Sequence, residues 1–272
     1  MCRKPGGRKS GARTDILLRG SVVSERYVHP CGKRPRPTGR DIKVNMDPRA
    51  NLLLANLPRA DFELIESHLT VAPFMQGAVL AEVGDEIDQV YFPLSGMISL
   101  LTTLNDGKAI ETATIGRSGV SGAAAAFGLY HSRVRAIVQV PLIAATLAAP
   151  QLRRAVETSD ALQNLCIRYN EVLLSQARIT AACNALHMIE ARFCRWLLQT
   201  SKVSGTTTIT LTQEFLAEML GVRRTSVTEV ASKLQSAGLI SYSRGVINML
   251  DLAGLREKSC ECFEILQDQN AI

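Results

Sequence analysis

No stretch of this chain stays apolar for the roughly 20 residues that a membrane helix needs. The first apolar cluster, at residues 16–18, is too short for the core of a secretory signal. Paired carboxylates, a nucleophile set beside a base and a glycine-rich phosphate loop are also missing, so no reaction class has residues to rest on and the chain reads as a non-enzyme. The seven cysteines, at 2, 31, 166, 183, 194, 260 and 262, lack the spacing of a zinc or iron–sulfur site. Cys260 and Cys262 form the one close pair, and residues two apart on a helix do not share a face, so both read as structural. Neither a metal nor a cofactor is expected. Scattered thiols in odd number suit a reducing cytoplasm. A haem-ligand role stays open for His68, His131 and His187, with surface or packing roles as the expectation for each.

A basic body is lacking too, despite the formal charge of +6. Residues 1–45 hold twelve Lys and Arg against three acids, which leaves 31 − 12 = 19 basic and 25 − 3 = 22 acidic residues beyond them, a net of −3. Any binding to nucleic acid must therefore rest on local placement of charge and not on bulk attraction. The basic segment is rich in Gly and Pro without periodicity and is expected to be disordered. It reads either as a basic arm or, preferably, as a dispensable extension ahead of Met46, where ordered sequence begins.

What the chain does have is hydrophobic residues, 46% of 272, enough for a sizeable core and for two domains. Residues 52–70 suggest short helices broken at Pro58. Between 71 and 148, AVLAEV, QVYFPL, MISLLTTL, AIETATI and RAIVQV alternate with turn residues and read as short strands of a β-sandwich or roll. Residues 151–200 contain no glycine or proline and read as helix. Leu162, Leu165, Cys166, Tyr169, Leu173, Gln176, Ile179 and Cys183 form a stripe on it at mixed three and four spacing. A second copy of the same helix is the expected cover for these eight residues, with packing onto the chain's own β domain as the alternative. A separate helix over 186–200 has Phe193, Trp196, Leu197 and Leu198 as its core face.

The densest pattern is at 212–235, TQEFLAEMLGVRRTSVTEVASKLQ. Phe215, Leu216, Met219 and Leu220 share a helix face. Thr210 and Gln213 have the spacing of a capping box, and Gly221 has the position of a left-handed helix stop. A second helix buries Val227, Val230, Ala231 and Leu234 and turns outward Arg224, Thr225, Thr228, Glu229 and Ser232. Set in a major groove, such a face meets base edges, where arginine can donate twice to guanine and glutamate can accept from cytosine. GLISYSRGVINMLDL, at 238–252, suits a hairpin turning at Arg244 and Gly245. Helix, turn, helix and wing together make a DNA-reading module.

A β-roll, a long helix and this winged module, in that order over about residues 50–260, resemble the Crp/Fnr family of bacterial transcription regulators. The motifs that carry the resemblance are TQEFLAEMLGVRRTSVTEVASKLQSAGLI and GDEIDQVYFPLSGMISLL. It implies an α+β chain with four parts: an extension at 1–45, a cyclic-nucleotide-binding-like β-roll at 46–158, a dimerisation helix at 159–185 and a winged helix-turn-helix domain at 186–272. It further implies that Arg224, Thr225 and Glu229, with Thr228 on the same face, read bases. Gln213, Arg223 and Ser226 then face phosphates, joined by Ser232, Lys233 and, on the wing, Arg244. The implied partners are double-stranded DNA with a palindromic operator, a second copy of the chain and RNA polymerase. The alternative is a ligand-binding module that uses its helix pair for protein contacts.

Three departures from the family pattern matter. Glu229 stands where an arginine is common, so the operator does not follow from the resemblance. Members that bind cyclic nucleotides carry Gly-Glu-Leu and, about ten residues later, an arginine with a hydroxyl partner. Here Gly119 is followed by Val120 and Ser121, and Tyr130 and His131 stand in place of the arginine pair. Arg133 or Arg135 is a substitute only in a shifted register. Cyclic AMP is therefore not the expected effector. The amino-terminal cysteine cluster of oxygen-sensing relatives is missing as well.

Overall fold

The computed structural model describes residues 45–269; residues 1–44, nearly all of the basic extension, lie outside them. The chain enters through a 3-10 turn at Pro48–Ala50 and two short helices, α1 (Leu52–Ala55) and α2 (Arg59–Glu66). Pro58 stands just before α2, where a missing N–H costs nothing. Asn51 fastens this entry to the sheet. Its Oδ1 caps α1 by accepting from Leu53 and Leu54 N, and its Nδ2 donates to Pro93 O and Gly119 O, each at 2.9 Å. A fully buried amide is satisfied on both sides in this way.

An antiparallel sheet follows, made of β1 (Thr70–Phe74), β2 (Val79–Ala81), β3 (Gln89–Thr103), β4 (Ala109–Ile115) and β5 (Arg135–Ala148). Its order is β1-β5-β3-β4, with β2 also paired to β5. Two of the strands, β3 and β5, are much longer than the sequence suggests. QVYFPL and MISLLTTL are one strand, and LSG is not a turn but an irregularity in its register against β5. Gly96 explains this: at φ +79°, a Cβ there would lie 2.1 Å from Pro141 O, so the strands approach at a point only glycine allows. A 3-10 segment at Ala123–Phe127 closes the roll, and α3 (Ala149–Val156) leads out of it.

Helix α4 (Asp160–Leu186) is capped by Ser159, whose Oγ accepts from Leu162 N at 3.0 Å and donates to Asp61 Oδ1 at 2.6 Å. The stripe expected to meet a second copy is instead occupied within the chain. Leu162, Cys166, Tyr169, Gln176 and Cys183 are buried. Leu165 and Leu173 pack on the β-roll core, and Ile179 packs beside Cys183. The cause is the exposed edge of β4, which Gln176 covers: its Oε1 accepts from Thr114 N at 2.9 Å and its Nε2 donates to Thr114 O at 3.2 Å, imitating a neighbouring strand. Tyr169 presses on the loop after β4, where a Cβ on Gly119 would lie 1.9 Å from its Oη. The opposite face of α4 is exposed. It carries Asn164, Ile167, Glu171, Leu174, Arg178, Ala181 and Ala185, again at mixed three and four spacing.

After a break at His187 and Met188 come α5 (Ile189–Ser204), β6 (Thr208–Thr210), α6 (Gln213–Leu220), α7 (Arg224–Ser236), β7 (Ile240–Ser243), β8 (Val246–Met249), α8 (Leu252–Lys258) and α9 (Cys262–Gln269). Phe193, Trp196, Leu216, Val227, Leu234, Ile247 and Leu255 fill one core. Leu101 and Ile137 of the sheet belong to the same apolar cluster, so the two halves share buried surface. Among the described residues no helix is long and apolar enough to cross a membrane.

Candidate nucleic-acid interface

Helix α6 starts later than its expected capping box. Thr210 ends β6, and it is Thr212 whose Oγ1 accepts from Phe215 N at 3.2 Å. Gln213 is thereby released for another task, accepting from Thr228 Oγ1 at 2.9 Å and so tying the start of α6 to α7. Gly221 closes α6 at φ +63°, as its position implies. A Cβ there would also lie 2.6 Å from Ile110 Cδ1 of β4, so the turn is held against the β-roll.

Helix α7 divides cleanly. Val227, Val230, Ala231 and Leu234 are buried, while Arg224, Thr225, Thr228, Glu229, Ser232 and Lys233 are exposed. Arg223 stands at the N-cap, exposed and without a side-chain cap bond, so the first N–H groups of α7 are available to an anion. Ser226 and Gln213 are half-buried.

The third strand of the wing, β6, is not evident from sequence; the sheet order is β6-β8-β7. Ser243 pairs with Val246, leaving Arg244 and Gly245 as a two-residue loop. Both have positive φ, 49° and 77°, as the hairpin turn that matches strand twist demands. Arginine is costly at such a position, where Asn or Gly would be easier. The wing is fixed to the reading helix by Tyr242, whose N donates to Gln235 Oε1 at 2.7 Å and whose hydroxyl donates to Leu211 O at 2.9 Å. Arg224, Arg223 and Arg244 thus project from a braced frame.

The β-roll holds a cavity of about 190 Å³ lined by Tyr91, Leu100, Ser121, Gly122, His131 and Arg133 among others, with Asn170 and Leu173 of α4 as one wall. Of the two arginines considered as substitutes, Arg133 lines it but is exposed, and Arg135 is instead paired with Glu82 at 3.4 Å. Tyr130, in the arginine position of the family pattern, stacks under Arg153 at 4.3 Å.

A buried carboxyl joins the halves. Glu111 of β4 accepts from Ser99 Oγ at 2.5 Å and from Trp196 Nε1 at 2.8 Å. Burial pushes its pKa up to about 7, against the opposing pull of those two hydrogen bonds and of the Arg195 charge.

The cysteines are not all scattered in space. Cys183, His187, Cys260 and Cys262 converge at the end of α4. The helical argument against the 260/262 pair does not apply, because Cys260 lies in the connection between α8 and α9. The signal visible in the sequence is the spacing of Cys183 and His187, four apart at a helix end.

Two family models match the chain: a cyclic nucleotide-binding domain over residues 71–159 and a Crp-like helix-turn-helix domain over residues 191–258. No curated protein is similar enough in sequence to count as a match. Among solved structures, a Crp/Fnr-family protein from Eubacterium rectale is similar at 19% identity and TM-score 0.63, covering 77% of this chain and 98% of that one. A CRP-family transcriptional regulator from Thermus thermophilus is similar at 21% identity and TM-score 0.59, covering 69% and 95%. The c-di-GMP-responsive global regulator CLP from Xanthomonas campestris is similar at 18% identity and TM-score 0.59, covering 71% and 100%. Identities this low speak for the fold, and the two domain models speak for the lineage. With a cyclic nucleotide-binding domain joined through one long helix to a Crp-like helix-turn-helix, the chain belongs to the Crp/Fnr family of DNA-binding transcription regulators.

Proposed function

We propose that the chain acts as a homodimer that reads a two-fold operator through α7. The observation that carries this reading is the outer face of that helix: Arg224, Thr225, Thr228 and Glu229 are exposed while the opposite face is core. Arg224 would donate to a guanine edge, Glu229 would accept from a cytosine amino group, and the two threonines would contact either base edges or methyl groups. Arg223, Ser226, Ser232, Lys233, Gln213 and the wing's Arg244 would hold phosphates. The body of the chain is net acidic, so these few cations set the register, and affinity should fall steeply with salt.

The dimer face we infer is the exposed side of α4, not the buried one. Ile167 and Leu174 are 51% and 46% exposed, and with Ala181 and Ala185 they repeat at the spacing of a coiled-coil seam. Parallel pairing along that seam would present two copies of α7 to half-sites about 34–36 Å apart.

The β-roll cavity is the effector site in this reading. Its volume of about 190 Å³ is below the range of roughly 300–1,000 Å³ usual for drug-sized ligands, its lining includes Glu86 and Asp88, and its one lysine or arginine is the exposed Arg133. A cyclic phosphate would lack a buried cation, so a small, weakly charged effector suits the site better. Because Asn170 and Leu173 of α4 line it, a ligand there would act on the helix that sets the spacing of the two readers.

Selection of bound duplexes from a random pool tests the reading. A palindrome should be enriched, and Arg224→Ala should weaken specific binding by about 1–3 kcal/mol per half-site without unfolding the protein. Unchanged sequence preference in that variant would remove Arg224 from the reading set.

A further inference from the structure

We propose that Cys183, His187, Cys260 and Cys262 bind a single zinc ion in a tetrahedral site that locks the end of the long helix α4 to the C-terminal helices. The four donor atoms all lie within 4.8 Å of one another. Cys183 Sγ and Cys260 Sγ are 3.5 Å apart, and so are Cys262 Sγ and His187 Nδ1. With Zn–S near 2.3 Å and Zn–N near 2.0–2.1 Å, tetrahedral geometry requires ligand-to-ligand separations of about 3.6–3.8 Å. The cluster thus needs only slight rearrangement to admit an ion at its centre.

The donor set selects the metal. Three thiolates and an imidazole are soft and borderline ligands, suited to zinc and unsuited to magnesium or calcium, which take oxygen. Four protein ligands leave no open position, so the site is structural and not catalytic. A disulfide accounts for less of the geometry: it would need the Cys183 and Cys260 sulfurs at about 2.05 Å and would leave Cys262 and His187 converging on nothing.

The surroundings fit as well. His187 faces Cys262 with Nδ1, and its Nε2 lies 3.5 Å from Glu261 Oε2, the carboxylate partner that commonly orients a ligating imidazole. Three thiolates around a divalent ion leave one negative charge in a buried place. Arg192 and Arg195, both buried, lie close enough to act electrostatically on Cys183. Each also keeps an Nε without a hydrogen-bond partner.

The consequence is mechanical. Cys183 lies in the last turn of α4 and His187 is its C-cap, at the joint where the chain turns into α5. Cys260 and Cys262 come from the connection of α8 to α9 and the first position of α9, beyond the wing. One ion therefore ties the helix that would set dimer geometry to the far end of the DNA-binding domain. The joint at His187 and Met188 becomes a fixed angle.

The test uses the full chain, purified reduced and without chelator. Elemental analysis should find one zinc per chain. Exchange with cobalt(II) should give intense visible ligand-field bands and a sulfur-to-cobalt charge-transfer band, the signature of tetrahedral thiolate coordination. Cys262→Ser should weaken the charge-transfer band and lower zinc retention against a competing chelator at least roughly tenfold, since its ligand is lost. The unmodified protein decides the matter even if that variant does not fold. Reduced, folded protein that contains no zinc and takes up neither zinc nor cobalt would overturn the proposal. A weak octahedral cobalt spectrum, bound iron with sulfide, or a Cys183–Cys260 disulfide in freshly isolated protein would overturn it equally.

Discussion

Arg244 shows how a single residue can point to function through its cost. It occupies a positive-φ turn position that favours Asn or Gly, yet it is exposed and makes no ion pair among the described residues. In the proposed complex a phosphate contact at the wing tip would offset that cost. Arg244→Gly should leave thermal stability unchanged or slightly raised, while DNA affinity falls for all sequences alike and the salt dependence of log K flattens by about one unit per half-site. A loss of stability together with unchanged affinity would make the arginine a structural residue. Arg244 and the outward residues of α7 are legible in the sequence because a helix with one apolar stripe and a hairpin with a glycine turn are local patterns. Glu111 is not, since its partner Trp196 lies 85 residues away and nothing local marks the pair.

Glu111 also predicts a pH dependence. Its folded pKa is raised to about 7, so the folded state favours the protonated carboxyl. That contribution is fully present below the unfolded value, near 4.5, and is lost as pH rises through about 7. The melting temperature should therefore fall between about pH 5 and pH 8 in the wild type and fall less in Glu111→Gln, which keeps an acceptor for Trp196. Identical slopes in thermal melts of the two proteins would dismiss Glu111 as the titrating group.

Among the elements, α4 is instructive because it carries two stripes of the same period. Heptad spacing alone does not say which stripe meets the chain's own sheet and which is left exposed. The more apolar one reads from sequence as the partner face, but it lies on the β-roll because β4 offers an edge that needs covering, as the pair of hydrogen bonds between Gln176 and the Thr114 backbone shows. The remaining stripe is thinner, with Ile167 and Leu174 as its large apolar residues. Replacing both with glutamate should convert a dimer to a monomer by light scattering while leaving helicity intact, since both side chains are exposed. A variant that stays dimeric would place the interface elsewhere. Strand β3 gives the complementary lesson: LSG has turn chemistry, and only the approach of Pro141 to Gly96 makes it a bulge in a continuous strand.

Taken as one molecule, the chain packs its cavity and its helix-turn-helix against shared elements. The cavity touches α4 through Asn170 and Leu173, and the turn at Gly221 rests on Ile110 of β4. In the proposed function, a change in the β-roll would have these two contacts as routes to the DNA-binding half. The interface between the halves holds hydrogen-bonded buried polar groups, Glu111, Gln199 and Thr114 among them, and a satisfied network of this kind fixes one specific packing of the two halves. The architecture is legible from element order. The cysteine and histidine cluster is not, because its members come from the end of α4 and from beyond the wing and meet only in the folded chain.

If α7 reads DNA as one half of a two-fold pair, that property should be visible in the duplexes that folded, full-length protein retains from a random pool at low salt. Sequencing them should reveal a palindrome with half-sites about one helical turn apart, and Arg224→Ala should lose it. Folded dimeric protein that enriches no sequence would refute the two-fold reader.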